Sequence, residues 1–266
     1  MQKVTFLSIA SAALLTLAAC YTNPVTGRQS LVLVQPSEEL SLGAQSFQQI
    51  RSQEKISSDP AMNARVRKIG ERIAGAVGSD LPNAQWEFVV FDSKQVNAFA
   101  LPGGKVGVYS GLLKLASSDD ELAIVMGHEI GHVIARHGAE RMSEQMVIQG
   151  IGALGSAVAE TKYSPETVQL FQTAYGCAAT VGRVLPQSRR NESEADRMGV
   201  IFAAKAGYDP RAAIGFWEKM EEQKTAKAGA FDKYLSTHPA DGQRIADLKA
   251  MMPQVVPIYE ANRGKF

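Results

Sequence analysis

Two of the four histidines in this 266-residue chain stand four positions apart, as His128 and His132 in the stretch VMGHEIGHV, with Glu129 beside the first. On a helix, residues i and i+4 differ by only about 40° in azimuth and lie roughly 6 Å apart along one face. Both imidazoles can therefore reach one divalent cation, and Glu129 falls within reach of water at that cation. The chemistry implied is metal-assisted hydrolysis, with the carboxylate as general base. Gly127 and Gly131 flank the pair. In a helix interior each costs about 1 kcal/mol relative to alanine, so something is expected to approach this backbone closely.

A catalytic zinc takes three protein ligands and leaves the fourth position open. His137, nine residues after His128, points half a turn away, and Ala135 and Gly138 stand where a third-histidine extension of the motif requires Gly and His. The third ligand must come from farther along. Some sixty residues downstream, RRNESEAD places Glu192, Glu194 and Asp196 on one helix. Asp196 is one turn from Glu192, where it can accept a hydrogen bond from a ligating histidine and fix its tautomer; Glu194 is expected on a solvated face. No serine or cysteine nucleophile competes, and Gly103-Gly104 reads as a hairpin turn, not a phosphate loop.

HEIGH followed by ESEAD resembles the membrane-associated gluzincin metallopeptidases, the family of the CAAX prenyl protease and HtpX, and within it the periplasmic BepA/LoiP-type lipoprotein branch. The resemblance implies a zinc peptidase with His128, His132 and Glu192 as metal ligands and Glu129 as the general base. It covers most of residues 36–252. Asn97, Ala98 and Phe99 resemble the strand that borders the family's groove, where an extended substrate pairs with an exposed edge. His238-Pro239 and Arg244 resemble its C-terminal His-Pro and Arg element. By that resemblance His238 stabilises the oxyanion, together with Arg244, or occupies the open position as a latch. The implied activity is quality control of misfolded or misassembled envelope proteins. A non-proteolytic factor that holds clients in the groove is the alternative, although such a factor has no need of Glu129.

The elements that must position these residues follow from the pattern. The composition, 45% hydrophobic and 21% charged, supports one sizeable core. The charges, 28 basic against 27 acidic, give no electrostatic reason to expect nucleic acid. MQKVTFLSIASAALLTLAAC reads as an export signal over residues 1–19. Its Leu17-Ala-Ala-Cys20 resembles a bacterial lipobox, which implies acylation at Cys20. Tyr21, not the Asp that often retains lipoproteins at the inner membrane, follows it, so a periplasm-facing outer-membrane protein is expected. Lipidation would leave Cys177 without an intramolecular partner, as a buried thiol.

Residues 20–35 read as a tether, 36–252 as the peptidase domain and 253–266 as a tail. The expected fold is α+β and predominantly helical, with a small antiparallel sheet of three strands (86–91, 96–101 and 105–109) beside the long helix that Ser118-Asp-Asp-Glu121 caps. Helices are expected from Ser37, after Asp59, over 189–205, after Asp209-Pro210, and to about Met252. The Gly- and Ala-rich run 149–182 suits tight helix packing or a flap. The chain offers no reading of oligomeric state.

Overall fold

The computed structural model describes residues 20–148, 189–226 and 242–266, with 166–167, 234 and 238. The expected signal segment 1–19, the run 149–182 apart from 166–167, Cys177 and Pro239 lie outside the described residues.

Helix α1 spans Pro36–Gln53 and α2 Pro60–Val77. Proline at the first position of each suits it, because its fixed φ is helical and that position needs no N–H. Asp59 caps α2 through Ala61 N at 2.9 Å and Met62 N at 3.1 Å. Helix α1 starts one residue earlier than Ser37 suggests: Gln35 is its N-cap and offers no side-chain bond, with Glu38 and Glu39 in the first turn.

Strands β3 (Glu87–Phe91), β4 (Ala98–Leu101) and β5 (Lys105–Tyr109) form a three-stranded sheet in the order β3-β5-β4. The sheet is mixed, and this corrects the expectation of an antiparallel one: β5 pairs antiparallel with β4 but parallel with β3. Residues 92–97 carry the chain past the central position to the far edge. The turn at Gly103 and Gly104, both at positive φ (87° and 79°), then returns β5 into the gap. A short helix α3, Ser110–Leu115, follows directly.

Helix α4, Asp119–Ile134, carries the paired histidines and is buried from Leu122 to its end. Ser118 Oγ accepts from Glu121 N at 3.1 Å, and the Glu121 carboxylate accepts from Ser117 N at 2.8 Å, so both ends of the cap are satisfied. Arg136, at φ 54°, breaks the chain between α4 and α5 (His137–Ile148). Helices α6 (Arg189–Lys205), α7 (Ala212–Ala226) and α8 (Gly242–Asn262) follow among the described residues. The core joins Phe47, Phe91, Phe99 and Tyr109 to Val66, Ile69 and Ile73 of α2 and the apolar residues of α4. Each such side chain contributes about 1.5–3 kcal/mol of burial.

Two segments differ from the sequence reading. Residues 20–35 are no free tether: β1 (Cys20–Thr22) and β2 (Gln29–Leu31) pair as an antiparallel hairpin, and Asn23, Val32 and Val34 are buried. Residues 253–262 continue α8 through Pro253 and Pro257. Val255 is buried and Ile258 and Tyr259 pack on the core, which offsets the backbone bonds the prolines forgo. Among the described residues no helix is long and apolar enough to cross a membrane.

Candidate metal centre

The site is built where α4 and α6 cross, the most extensive helix contact among the described residues. A Cβ on Gly127 would stand 2.9 Å from Gly199 O, one on Gly131 would stand 3.2 Å from Ala195 O, and one on Gly199 would stand 2.8 Å from His128 N. The backbones touch because these positions are bare, which is the reason for glycines inside a buried helix. The crossing brings Glu192 of α6 against His128 and His132 of α4.

Four donors converge. His128 Nε2 lies 3.0 Å from His132 Nε2 and 3.4 Å from Glu192 Oε2. His132 Nε2 is 3.5 Å from Glu192 Oε1, and His238 Nδ1 is 3.2 Å from both His128 Nε2 and Glu192 Oε2. All four side chains are buried, and their donor atoms lie within 4.8 Å of one another. Ligands about 2.1 Å from a tetrahedral ion stand about 3.4 Å apart, and these five separations, 3.0–3.5 Å, are of that size.

The hydrogen bonding points the same way. His128 Nδ1 meets Asp196 Oδ1 at 2.9 Å and His132 Nδ1 meets His137 Nδ1 at 2.8 Å. When both Nδ1 atoms donate outward, the two Nε2 lone pairs face each other at 3.0 Å, an arrangement that a cation between them stabilises. The residues present therefore fit a divalent metal.

The electrostatics favour a cation too. Burial alone would raise the Glu192 carboxyl, but the charges of His238 and His132 and hydrogen bonds with His128 and His238 hold it well below its usual value. Burial opposes charge on His128, yet Asp196 and Glu192 raise it to about 9, whereas burial pushes His132 well down. Two acids thus set a negative field around one point.

Glu129 is buried beside the donors. Tyr234 OH donates to its Oε1 at 3.3 Å, and His238 Nε2 lies 3.4 Å from that oxygen. Burial raises its carboxyl above the usual range, against the nearby charges of His238 and His128.

Arg244 does not suit the oxyanion role expected for it. Its Nε and Nη2 each donate to an Asp196 oxygen at 2.7 Å, its Nη1 lies 3.1 Å from Glu192 Oε2, and its guanidinium stacks 3.8 Å over the Trp217 ring. It acts from behind the ligands, neutralising two buried acids. Glu194 also departs from expectation. It is buried, not solvated, and accepts from His137 Nε2 at 3.0 Å and from Asn23 Nδ2 at 2.8 Å. The segment carrying Asn97, Ala98 and Phe99 enters edge strand β4, but those side chains are buried, and Phe99 packs against Phe47, Phe91 and Tyr109. Cys20 is exposed at the start of β1.

Sequence reasoning missed Tyr234, Trp217 and the pairing of His137 with His132. The first two carry no motif. His137 was legible only as a residue pointing away from the ligand face.

Residues 60–252 match peptidase family M48. The chain is 29% identical over 258 residues to the mitochondrial metalloendopeptidase OMA1 of Saccharomyces cerevisiae, covering 89% of this chain and 70% of that protein. It is 39% identical over 198 residues to mitochondrial metalloendopeptidase OMA1 of Arabidopsis thaliana, covering 72% of this chain and 37% of that one. With the beta-barrel assembly-enhancing protease of Escherichia coli it shares 29% over 248 residues, 92% of this chain and 50% of the relative. The chain thus spans half or less of the length of the last two relatives. It belongs to peptidase family M48 and is a metallopeptidase.

Proposed function

We propose that the protein is a zinc endopeptidase, lipid-anchored through Cys20 in a bacterial envelope, that cuts misfolded or misassembled envelope proteins. One observation carries the catalytic part: four buried donors within 4.8 Å of one another with a buried carboxylate, Glu129, beside them. His128, His132 and Glu192 are the ligands, and two imidazoles with one carboxylate suit zinc.

Zinc so held supplies a Lewis acid that polarises the scissile carbonyl and acidifies water. Glu129 takes the proton from the attacking water and delivers it to the departing amine. Its burial raises its affinity for a proton, and Tyr234 OH orients its Oε1. Asp196 holds the His128 ring, and Arg244 holds Asp196.

His238 is the fourth donor in this arrangement. It is the latch: its Nδ1, set against His128 and Glu192, must leave before substrate enters. An extended substrate pairs along β4, the sheet edge beside α4. Asn97 Nδ2, at the start of that strand, is buried with no hydrogen-bond partner among the described residues and offers the substrate backbone a donor.

The envelope assignment rests on Leu17-Ala-Ala-Cys20, with Cys20 exposed as a lipid attachment requires. The Escherichia coli relative named for beta-barrel assembly is consistent with it. The test compares the zinc content and cleavage of unfolded substrates by the purified chain and its Glu129→Gln variant, with Cys20→Ser scored for acylation in cells. Wild-type cleavage lost in Glu129→Gln supports the reading. Zinc binding without cleavage favours the client-holding alternative, and an unacylated wild-type Cys20 removes the anchor.

A further inference from the structure

We propose that His137 and Glu194 are positioning residues for the metal centre, and that the N-terminal hairpin, residues 20–31, is part of that centre because Asn23, Thr26 and Arg28 fix the Glu194 end of the relay. The proposal rests on the reading of His132 as a ligand and goes beyond it.

The relay runs from His132 Nδ1 to His137 Nδ1 at 2.8 Å, and from His137 Nε2 to Glu194 Oε2 at 3.0 Å. Glu194 is ion-paired with Arg28, so its carboxylate only accepts. His137 Nε2 must then carry the proton. With His132 Nε2 as the ligating atom, the His132 ring proton lies on Nδ1, so the facing His137 Nδ1 is bare and accepts it. The His132 proton is thereby fixed on Nδ1, and its Nε2 lone pair is aimed at His128 and Glu192. The opposite tautomer of either ring would put an N–H where the metal belongs. His128 receives the equivalent service from Asp196 and Arg244. Each of the two ligand histidines therefore ends on an acid held by an arginine.

The second acid is held by the N-terminal hairpin. Asn23 Nδ2 donates to Glu194 Oε1 at 2.8 Å, Thr26 Oγ1 donates to the same oxygen, and Arg28 Nε donates to Oε2. The remaining Arg28 nitrogens fork onto Glu140 at 2.8 and 2.9 Å, which prevents the guanidinium from swinging away. The loop is shaped for this. Val25 N bonds to Asn23 Oδ1 at 2.9 Å, Asn23 N to Arg28 O at 2.8 Å, and Gly27 turns at φ 73°. Glu140 is tied in turn to Asn191 Nδ2 at 3.1 Å, next to Glu192. A segment read from sequence as a tether thus holds the far end of a ligand's hydrogen-bond chain.

The experiment measures zinc affinity by chelator competition and the Co2+ visible spectrum for the full chain and for Arg28→Ala, His137→Ala, Glu194→Ala and Glu194→Gln. The expected result is about a 10- to 100-fold loss of affinity for His137→Ala and Glu194→Ala, with an altered Co2+ spectrum. Arg28→Ala should lose less, and Glu194→Gln should be partly rescued because its amide oxygen still accepts from His137. Wild-type affinity and spectrum in His137→Ala and Glu194→Ala would overturn the proposal. If those variants do not fold, 15N shifts of the wild-type histidines decide it: His137 protonated on Nε2 and His132 on Nδ1 are expected, and the opposite tautomers overturn it. Failure of the wild type to bind zinc at all would instead defeat the metal reading.

Discussion

Arg244 grips both oxygens of Asp196 at 2.7 Å while Asp196 holds the ring of His128 at 2.9 Å. The guanidinium is buried and lies over Trp217, so its removal strands two acids, Asp196 and Glu192, in a low-dielectric interior. Arg244→Leu should cost about 3–5 kcal/mol of stability and lower zinc occupancy. Arg244→Lys, unable to fork, should recover only part of either. Thermal denaturation with metal analysis of the purified variants checks both.

His238 sets the second prediction. Because its Nδ1 stands in the fourth donor position, His238→Ala should retain zinc on the other three donors and raise basal kcat/KM several-fold on an unfolded substrate. A fall of two orders of magnitude with zinc retained would assign His238 to oxyanion stabilisation alone.

The helix crossing gives the third. Gly199→Ala would place a methyl 2.8 Å from His128 N and 3.0 Å from His128 Cα, against backbone that cannot yield. It should destabilise by about 1–3 kcal/mol and shift the Co2+ spectrum by moving the ligand helices apart. Gly75→Ala, where nothing lies within 4 Å of the added methyl, is the control and should be neutral or stabilising.

Glu121 gives a pH-dependent case away from the ligands. Burial raises its carboxyl, but Lys219 and the Ser117 donors lower it further, so its folded pKa is depressed. A depressed carboxyl contributes stability above its unfolded pKa, about 4.3, and loses it as pH falls through the folded value. Glu121→Gln should therefore cost about 1 kcal/mol at pH 7, and the difference should vanish in acid. Urea titrations at pH 7 and pH 3 measure it.

The parts of this site legible in the sequence are those with a local cause. His128 and His132 share a face because four residues make one helical turn, and Ser118 and Asp59 cap because short polar side chains reach the next N–H groups. The pair of Glu192 and Asp196 is legible the same way, and so is the fact that Glu194 faces elsewhere. What that other face meets was not legible, since it depends on a hairpin more than 160 residues earlier in the chain. The parallel pairing of β3 with β5 escaped for a similar reason. Alternation fixes which side a residue faces, while strand order depends on where residues 92–97 cross. Helix α8 outran Pro253 because tertiary packing of Val255 and Ile258 outweighs a local helix breaker.

The central claim, that Glu129 moves the proton at a metal held by His128, His132 and Glu192, is tested most directly by one comparison. The wild type and Glu129→Gln are brought to equal zinc content, and their cleavage of the same unfolded protein is followed by mass spectrometry of the products. The account predicts full metal binding in both and a loss of at least two orders of magnitude in cleavage for the variant, about the scale of a general base. Equal cleavage by the two at equal zinc would contradict it.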